Sequence, residues 1–453
     1  MSTKGSESLP EMMAFFNKAS ENTFAQSALK KILQYGRIVA QMRDSTFDAK
    51  GLRQALQDYF QPKDTALFAP ALHTQLMSSG TRVAVTSAKD GGRTACLIAS
   101  YNHPSPTEGS ACLEREEDAE KDMKIWEAAM ATSAAPYYLP CFEKPQQRTS
   151  YVDGAVWANC PAQVAYTEME KLWPGDTASV DALVSLGTGM QDAKPFEMPA
   201  LVNTGFLAAI RAMFKRQMDS KATWLNFVTE TAPPHVRPRL HRLDPPLRGG
   251  DDPVRLYDYK MIPDLQERVS DWTGSAAQKE IALIADTLVA NLFFFEPDDG
   301  IQPQSAKSLL SDKTNDVLQG TIRCRLGYQT PQLVRLLGLV EDFAFTQLDV
   351  APGDTNLVEK VRQLPTSRWE PIRTTLKEGH MAKRASSIEM MAVDGHSAVP
   401  KFRVPYTIVV QKGSLGPLVL GVKLHRRDTR ISISGFPVTM PELKRRASQV
   451  WLR

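Results

Sequence analysis

The pattern that most restricts the fold of this chain lies between residues 149 and 190. A short apolar run ends in the Asp-Gly pair of YVDGAVWANCPAQVAYTEMEKLW, a helical pattern follows at about 161–173, and VDALVSLGTG then has the texture of a buried strand. Strand, helix and strand at this spacing are typical of a βαβ unit, in which helices cover parallel strands. The pattern therefore predicts an α/β domain with a mostly parallel sheet.

Helical and strand patterns also precede this unit. An S-x-x-E capping sequence and apolar residues at helical spacing predict helices near residues 8–16, 28–41 and 49–60. The runs TRVAVTSAK and ACLIASYN are separated by the turn sequence DGGR, which predicts a hairpin or two neighbouring strands. A further helix is predicted at about 122–134, before a proline.

The texture of the sequence changes beyond about residue 290. Amphipathic helical stretches and a proline-rich surface excursion occupy 200–290, and strand-like runs alternating with polar turns follow. We predict an α/β domain at 1–290 and a smaller β-rich domain at 291–440. A polar stretch near 351–400 is predicted to be a long loop, and 441–453 a basic tail.

Composition excludes several classes of protein. The 54 Lys and Arg residues nearly balance the 51 Asp and Glu residues, so a general nucleic-acid-binding surface is not expected. The scattered cysteines show no metal-ligand spacing and predict reduced thiols in an intracellular, cytoplasmic protein. The sequence shows no signal core and no apolar run of the ~18 residues that span a bilayer, so a soluble or peripherally membrane-bound protein is expected. The five cysteines are Cys96, Cys112, Cys141, Cys160 and Cys324.

Asp153 in the Asp-Gly pair is the candidate for chemistry. An aspartate at the carboxyl end of a strand, before a glycine that permits unusual backbone angles, occupies a usual site position in open α/β sheets. Its carboxylate can serve as a general base. Asn159 is a candidate N-cap and Pro161 a first-turn residue of the next helix, which would fix this turn. The dipeptide alone is more typical of an ordinary turn.

Several ordered motifs carry a family resemblance. The stretches IWEAAMATSAAPYYLPCF, YVDGAVWANCPAQVAYTEME and VSLGTGM resemble the second half of the patatin-like phospholipase domain, and SYN at 100–102 is similar to a strand end in that domain. ISGFP near the C-terminus resembles the β-rich tail of many fungal members. The resemblance covers roughly 1–290 and implies a three-layer α/β/α fold with a mostly parallel sheet, followed by a β-rich extension.

The resemblance implies a lipid acyl hydrolase of the phospholipase or lysophospholipase type, acting in lipid metabolism without a metal or cofactor. In the family a serine on a G-x-S-x-G elbow attacks the ester, and the aspartate of the Asp-Gly-Ala motif takes its proton. Carried over here, that motif is Asp153, Gly154 and Ala155. The implied substrate is a lipid or phospholipid at a membrane or lipid-droplet surface.

The sequence contains no G-x-S-x-G and no glycine-rich G-x-G-x-x-G turn. Both precede the Asp-Gly-Ala motif in the family, so we expect a chain truncated at its N-terminus, without the first strand and nucleophile elbow, and inactive as given. The alternative is a non-catalytic lipid- or protein-binding remnant, with the C-terminal β domain as the surface for a protein partner.

Two other residues of the motif region, Cys160 and His103, have side chains that can take part in catalysis. Cys160 lies close to Asp153 in sequence and near a predicted helix start, where a thiol can become nucleophilic. A buried, inert cysteine is the favoured interpretation. His103 is interpreted as a loop residue after Asn102 and not as a base, since the family resemblance requires no histidine.

Overall fold

The computed structural model divides the chain into two compact units, each made of several segments. The first comprises Met1–Gly175, Leu186–Thr231 and Asp244–Gly274; the second comprises Asp176–Ser185, Ala232–Leu243 and Ser275–Arg453. The residues that the structure describes are 9–25, 47–67, 82–103, 112–114, 121–136, 138–173, 180–189, 220–247, 254, 257–297, 315–326, 331–350, 357–371, 388–393, 397–411, 413, 416–425 and 427–443.

Helices and strands alternate along the described residues. The α-helices are α1 (Leu9–Phe24), α2 (Lys50–Tyr59), α3 (Ile125–Thr132), α4 (Ala155–Ala158), α5 (Ala162–Leu172), α6 (Ser220–Asn226), α7 (Ile262–Gly274), α8 (Gln278–Ala290), α9 (Pro331–Leu339) and α10 (Leu357–Arg362). The strands of the first unit are β1 (Ala84–Lys89), β2 (Thr94–Ala99), β3 (Cys112–Glu114), β4 (Phe142–Lys144) and β5 (Thr149–Asp153). The later strands are β6 (Leu183–Leu186), β7 (Leu240–Leu243), β8 (Phe293–Pro297), β9 (Asn315–Cys324), β10 (Val340–Gln347), β11 (Glu370–Pro371), β12 (Ile388–Val393), β13 (Ser397–Gln411), β14 (Leu418–Leu424) and β15 (Arg430–Ser432).

The five-stranded sheet of the first unit has the order β3-β2-β1-β5-β4. Strands β1 and β2 form the predicted hairpin, in which Asp90, Gly91 and Gly92 adopt positive φ angles. Of the pairs described in this sheet, β2 with β3 is parallel and the other three are antiparallel. The α/β class is confirmed, but a mostly parallel arrangement is wrong for these strands, because the tight turn reverses β2 and β5 also runs against β1.

The core of the first unit packs α3 against this sheet. Trp126 and Met130 of α3 share a buried cluster with Ile98, Phe142 and Tyr151 of the strands. The spacing of the α3 residues agrees with the helix predicted at 122–134, and the cluster explains why that helix is apolar on most of its surface. This packing holds β5, the strand that ends in Asp153, at a fixed position.

Strand β6, predicted to complete a βαβ unit with β5, instead pairs with β7 in a separate two-stranded sheet. The Arg242 guanidinium donates to the Ser185 hydroxyl at 2.9 Å, and the Arg239 guanidinium donates to the Val180 carbonyl at 2.7 Å. These bonds join residues near β6 to the segment around β7. The βαβ prediction is therefore wrong, because the proline-rich segment expected to be a surface excursion supplies the neighbouring strand.

The second unit contains two four-stranded sheets, ordered β11-β10-β14-β15 and β12-β13-β9-β8. Side chains from both sheets form one buried cluster, in which Phe293 meets Phe343 at 5.1 Å between ring centroids and Phe402 at 5.5 Å. All the described strand pairs of these two sheets are antiparallel. The predicted β-rich C-terminal region is thus present.

The stretch 351–400, predicted to be a long loop, contains α10, β11, β12 and the start of β13 in its described part. The loop prediction is wrong there, because Val361 and Trp369 have enough apolar surface to join a buried cluster. The helix predicted at 28–41, the first part of the amphipathic region predicted at 200–290, and most of the basic tail at 441–453 lie outside the described residues. Within the described part of the chain, the longest apolar helices are too short or too polar to cross a bilayer.

Candidate functional site

Asp153 is the last residue of β5 and lies opposite Ser87 of β1 in the strand register. Its backbone N-H donates to the Ala134 carbonyl at 2.9 Å. Ala134 belongs to the ATSAAP sequence that follows α3. Two of the motifs that carried the family resemblance are thus hydrogen-bonded to each other, and together they fix the backbone at the aspartate.

The Asp153 carboxylate is partly buried and has one hydrogen-bond donor among the described residues, the Ala155 backbone N-H at 2.8 Å to Oδ1. Burial raises the pKa of the Asp153 carboxyl above its ordinary value, and the hydrogen bond from Ala155 opposes that rise only in part. A carboxylate with a raised pKa holds a proton more readily than an exposed one. A carboxylate with this pKa shift and a free acceptor position is chemically able to take a proton from a neighbouring hydroxyl.

A glycine is needed at position 154 because there is no room for a side chain, and not because the backbone angles are unusual. Its φ of −65° and ψ of −16° lie in the ordinary right-handed region, so the expectation of an unusual backbone angle is wrong. A Cβ at this position would lie 2.3 Å from the carbonyl carbon of Thr86 and 2.4 Å from its carbonyl oxygen. The turn presses against the backbone of β1, and a side chain of any size would force the two apart.

A short helix, α4, begins at Ala155 directly after the Asp-Gly pair. Asn159 follows the end of α4 and has helical backbone angles, while Pro161 occupies the N-cap position of α5. Neither makes a side-chain capping bond. The expectation that Asn159 caps α5 is corrected, because the four-residue helix takes up the chain that separates Asp153 from α5.

Hydrogen bonds with Ser87 of β1 hold this turn in place. The Trp157 indole N-H donates to the Ser87 carbonyl at 2.7 Å, and the Ser87 hydroxyl donates to the Val152 carbonyl at 2.8 Å. Ser87 has no solvent-exposed surface, so its hydroxyl cannot reach a substrate. Among the described residues, no hydroxyl or thiol is hydrogen-bonded to the Asp153 carboxylate.

The Cys160 side chain is buried, with 4% of its surface exposed, and its sulfur is a thiol that is not part of a disulfide. Cys141, in contrast, is exposed. A nucleophile must meet both its base and its substrate, and a thiol enclosed by protein meets no substrate. The burial of Cys160 favours the interpretation as an inert packing residue.

A second group of polar residues in this unit had not been expected from the sequence. The Glu168 carboxylate on α5 accepts hydrogen bonds from the Tyr101 hydroxyl at 3.1 Å, from His103 Nε2 at 2.8 Å and from the Lys171 ammonium at 2.8 Å. We call these four residues the Glu168 cluster. It links the chain after β2 to α5. His103 lies outside the helices and strands, as the loop prediction has it, and its largely buried side chain pairs with a carboxylate.

The pKa of Glu168 results from opposing effects. Burial alone would raise it, but the hydrogen bonds from Lys171 and His103 outweigh burial, and the pKa of the Glu168 carboxyl lies below its ordinary value. The only signal in the sequence was the i, i+3 spacing of Glu168 and Lys171 on one helix. Nothing in the local pattern connects either residue to His103, which is 65 positions away.

The described residues contain no group of three or more histidine, cysteine, aspartate or glutamate side chains able to hold a metal ion.

Comparisons with known proteins agree with the motifs in this turn. Residues 6–166 match the family model described as patatin-like phospholipase, and residues 317–448 match a separate family described as a domain of unknown function (DUF8392). The chain is 47% identical over 66 residues to Phospholipase A I of Arabidopsis thaliana. That alignment spans 15% of this chain and 5% of the relative. The resemblance found in the motifs is thus confirmed over residues 6–166, which match the patatin-like phospholipase family, while residues 317–448 match a different family.

Proposed function

We propose that this chain contributes the proton-accepting half of a lipid acyl hydrolase site. The substrate class is a carboxylic ester of a lipid or phospholipid, as the family match suggests. Asp153 takes the proton from a serine hydroxyl as that oxygen attacks the ester carbonyl, and returns it to the departing alcohol. Gly154 and Ala155 set the position of the carboxylate, and the reaction needs no metal.

One observation carries this proposal. Asp153 combines a fixed backbone, partial burial, a raised pKa and a single hydrogen-bond donor, the Ala155 N-H at 2.8 Å. An aspartate that serves only to stabilise a turn is normally exposed or fully hydrogen-bonded, because a buried carboxylate without partners is destabilising. The Asp153 carboxylate instead keeps capacity to accept a further hydrogen bond. An unused acceptor position is expected of a catalytic carboxylate that accepts a hydrogen bond from a serine hydroxyl.

We propose further that the serine comes from outside these 453 residues. The sequence contains no G-x-S-x-G, and Ser87, which lies opposite Asp153, is buried and occupied. Without a nucleophile the aspartate contributes little, because the members of such a dyad act as a unit. The chain alone is then inactive, and a segment bearing the elbow serine should restore hydrolysis.

The test is ester hydrolysis with a short-chain nitrophenyl ester and with a phospholipid. The purified chain is compared with a fusion that places a patatin-type oxyanion turn and G-x-S-x-G elbow before residue 6. We expect no turnover above background for the chain and clear turnover for the fusion. Asp153→Asn should lower the rate of the fusion by about 10²–10⁴-fold, while Asp90→Asn, an exposed aspartate that accepts a bond from Thr94 at 3.0 Å, should leave it unchanged.

Two results would count against the dyad. Turnover by the unmodified chain that disappears in Asp153→Asn would show that the nucleophile is already present. A fusion that hydrolyses esters equally well with Asp153→Asn would show that this aspartate is not the base.

A second candidate function is lipid binding without catalysis, and α1 provides the observation that favours it. Four large apolar side chains recur at helical spacing and are exposed over 41% to 69% of their surface: Leu9, Met12, Met13 and Phe16. An apolar stripe of this kind suits the boundary of a lipid headgroup layer. It would operate whether or not a serine is available.

Vesicle co-sedimentation separates the two candidates. Met13→Glu together with Phe16→Glu should abolish binding to phosphatidylcholine vesicles if α1 is the lipid contact, while Asp153→Asn should leave binding intact. Vesicle binding that persists in the double variant would remove α1 as the contact.

A further inference from the structure

A pocket in the second unit lies outside the Asp153 site and encloses about 40 Å³. This exceeds the roughly 10–15 Å³ that a single water needs, so the pocket has room for a small ion. Its walls come from β7, α8, α10, β15 and the segments next to them. The lining residues are Asp181, Arg239, His241, Thr287, Asn291, Val358, Val361, Arg362, Ile431, Ser432, Phe436 and Pro437. We call this the His241 pocket.

Three polar groups of the His241 pocket have no hydrogen-bond partner among the described residues. The His241 side chain is more than nine-tenths buried and its Nε2 atom is unpaired. The Asn291 side-chain amide and the Ser432 hydroxyl likewise make no hydrogen bond within the described part of the chain. An unpaired buried polar atom is costly, so His241 Nε2 indicates a ligand that pairs with it. Asn291 and Ser432 are partly exposed and offer two further polar groups on the same pocket wall.

The charges around the pocket favour an anion. Arg239 and Arg362 are lining residues, and Asp181 is the only lining acid in the described residues. Both Asp181 oxygens are already engaged, by the Ser434 hydroxyl at 2.6 Å and the Gly435 N-H at 3.0 Å. Arg362 pairs with Glu359 at 3.6 Å, a long contact to a carboxylate that is half exposed. Positive charge therefore prevails on the pocket wall.

His241 adds a hydrogen-bond donor and no charge. Burial lowers the pKa of the His241 imidazole, and the nearby Arg362 charge lowers it further. A neutral imidazole can carry its proton on Nε2 and donate it to an oxygen. Guanidinium groups, a neutral imidazole, an amide and a hydroxyl together form a set of donors for a tetrahedral oxyanion.

We propose that the His241 pocket binds a phosphate group, held by the guanidiniums of Arg239 and Arg362 and hydrogen-bonded to Asn291, Ser432 and His241. Arg239 is anchored by its bond of 2.7 Å to the Val180 carbonyl, so Arg362 is the arm that closes on the ligand. Nε2 of His241 has no hydrogen-bond partner among the described residues, and it is the imidazole atom that donates to the phosphate. The phosphate belongs either to free inorganic phosphate or to a phosphorylated lipid headgroup.

Isothermal titration of the full chain tests this proposal with three probes: inorganic phosphate, glycerol 3-phosphate and acetate. We expect phosphate to bind with a Kd of about 1 mM or tighter. Arg362→Gln should weaken binding at least about tenfold. Arg268→Gln is the matched control, because Arg268 is 26% exposed against 22% for Arg362 and also pairs with an acid on its own helix, Asp264.

Tighter binding of glycerol 3-phosphate than of phosphate would identify a headgroup as the source, and equal or weaker binding would identify free phosphate. Ser432→Ala serves as a second variant if Arg362→Gln melts at a lower temperature than the parent, and should weaken binding about threefold. Three results would overturn the proposal. These are no heat up to about 20 mM phosphate, equal affinities for Arg362→Gln and Arg268→Gln, or acetate binding as tightly as phosphate.

Discussion

Asp153 and Glu168 are two carboxylates of the same unit, the first partly buried and the second buried, and their hydrogen-bond partners differ. Asp153 ends a strand and accepts one backbone hydrogen bond, so burial raises the pKa of its carboxyl. Glu168 lies on α5 and accepts three side-chain hydrogen bonds, two of them from groups that can carry positive charge. Despite its burial, the pKa of Glu168 is therefore lowered.

The difference shows how partners decide the role of a buried acid. Glu168 is fully engaged, which suits a residue that joins two segments and stays ionised. Asp153 is held in position by its backbone and leaves its carboxylate under-used, which suits a residue that accepts a proton during a reaction. Substitutions of the two carboxylates should therefore change the stability of the protein in opposite directions.

The largest effect is expected at the Glu168 cluster. Glu168→Ala should lower the free energy of unfolding by about 3–5 kcal/mol, because the buried charge and hydrogen bonds of Lys171 and His103 lose their partner. Denaturant unfolding measures it, with Glu143→Ala as a control at an exposed position of β4. Equal stabilities for the two variants would mean that the cluster contributes nothing.

The same residue predicts a dependence on pH. The folded pKa of Glu168 lies below the unfolded value of about 4.3, so its stabilisation is complete above that pH and is lost as pH falls through the folded pKa. The stability gap between the parent and Glu168→Gln should therefore narrow below about pH 4.3. A constant gap from pH 3 to about pH 7 would contradict the shift.

Gly154→Ala is expected to have the next largest effect. The added methyl would meet backbone atoms of Thr86 at 2.3 and 2.4 Å, and backbone atoms cannot turn aside, so the loss should be about 2–3 kcal/mol. The control is Gly274→Ala, since a Cβ there would have no neighbour within 4 Å. Thermal unfolding of both variants compares them, and a Gly154→Ala protein as stable as Gly274→Ala would show that the turn can move away from β1.

Asp153→Asn should have a small effect of the opposite sign to that at Glu168. A raised folded pKa contributes stability below the unfolded pKa of about 3.9 and loses it as pH rises through the folded value. Replacing the carboxylate by a neutral amide should then leave the protein as stable as the parent or more stable at neutral pH. Thermal melts between pH 5 and 8 measure this, and a clear destabilisation would indicate a structural role for the ionised carboxylate.

The smallest effect on the folded protein is expected from labelling its cysteines with a thiol reagent. Cys141 is exposed and should react with iodoacetamide in the folded protein, while Cys160 is 4% exposed and should react only after denaturation. Peptide mapping by mass spectrometry distinguishes the two sites. Rapid labelling of Cys160 under native conditions would reopen its role as a nucleophile.

The sequence predicted features whose causes are local. The hairpin before residue 100, helix α3, the strand ending at Asp153 and the β-rich C-terminal region all follow from turn residues and apolar periodicity within short windows. The Asp-Gly-Ala motif was recognisable from its resemblance to the patatin-like phospholipase family. What the glycine does was not predictable, because its contact with Thr86 depends on how two strands separated by more than sixty residues approach each other.

Predictions were wrong or lacking for features that depend on contacts between segments far apart in the sequence. The direction of strands and the partner of β6 depend on segments far apart in the sequence, and periodicity carries no information about them. The Glu168 cluster and the His241 pocket likewise gather residues from several segments, each of which looks ordinary alone. Asn159 was misplaced because a four-residue helix is too short to leave a periodic signal.

The most direct test of the central claim is the titration of Asp153 and Glu168 by carboxyl ¹³C NMR, with signals assigned from Asp153→Asn and Glu168→Gln. We expect Asp153 to titrate above the ordinary aspartate pKa of about 3.9 and Glu168 below the ordinary glutamate pKa of about 4.3. An Asp153 that titrates at or below its ordinary value would contradict the assignment of this residue as a carboxylate poised to accept a proton.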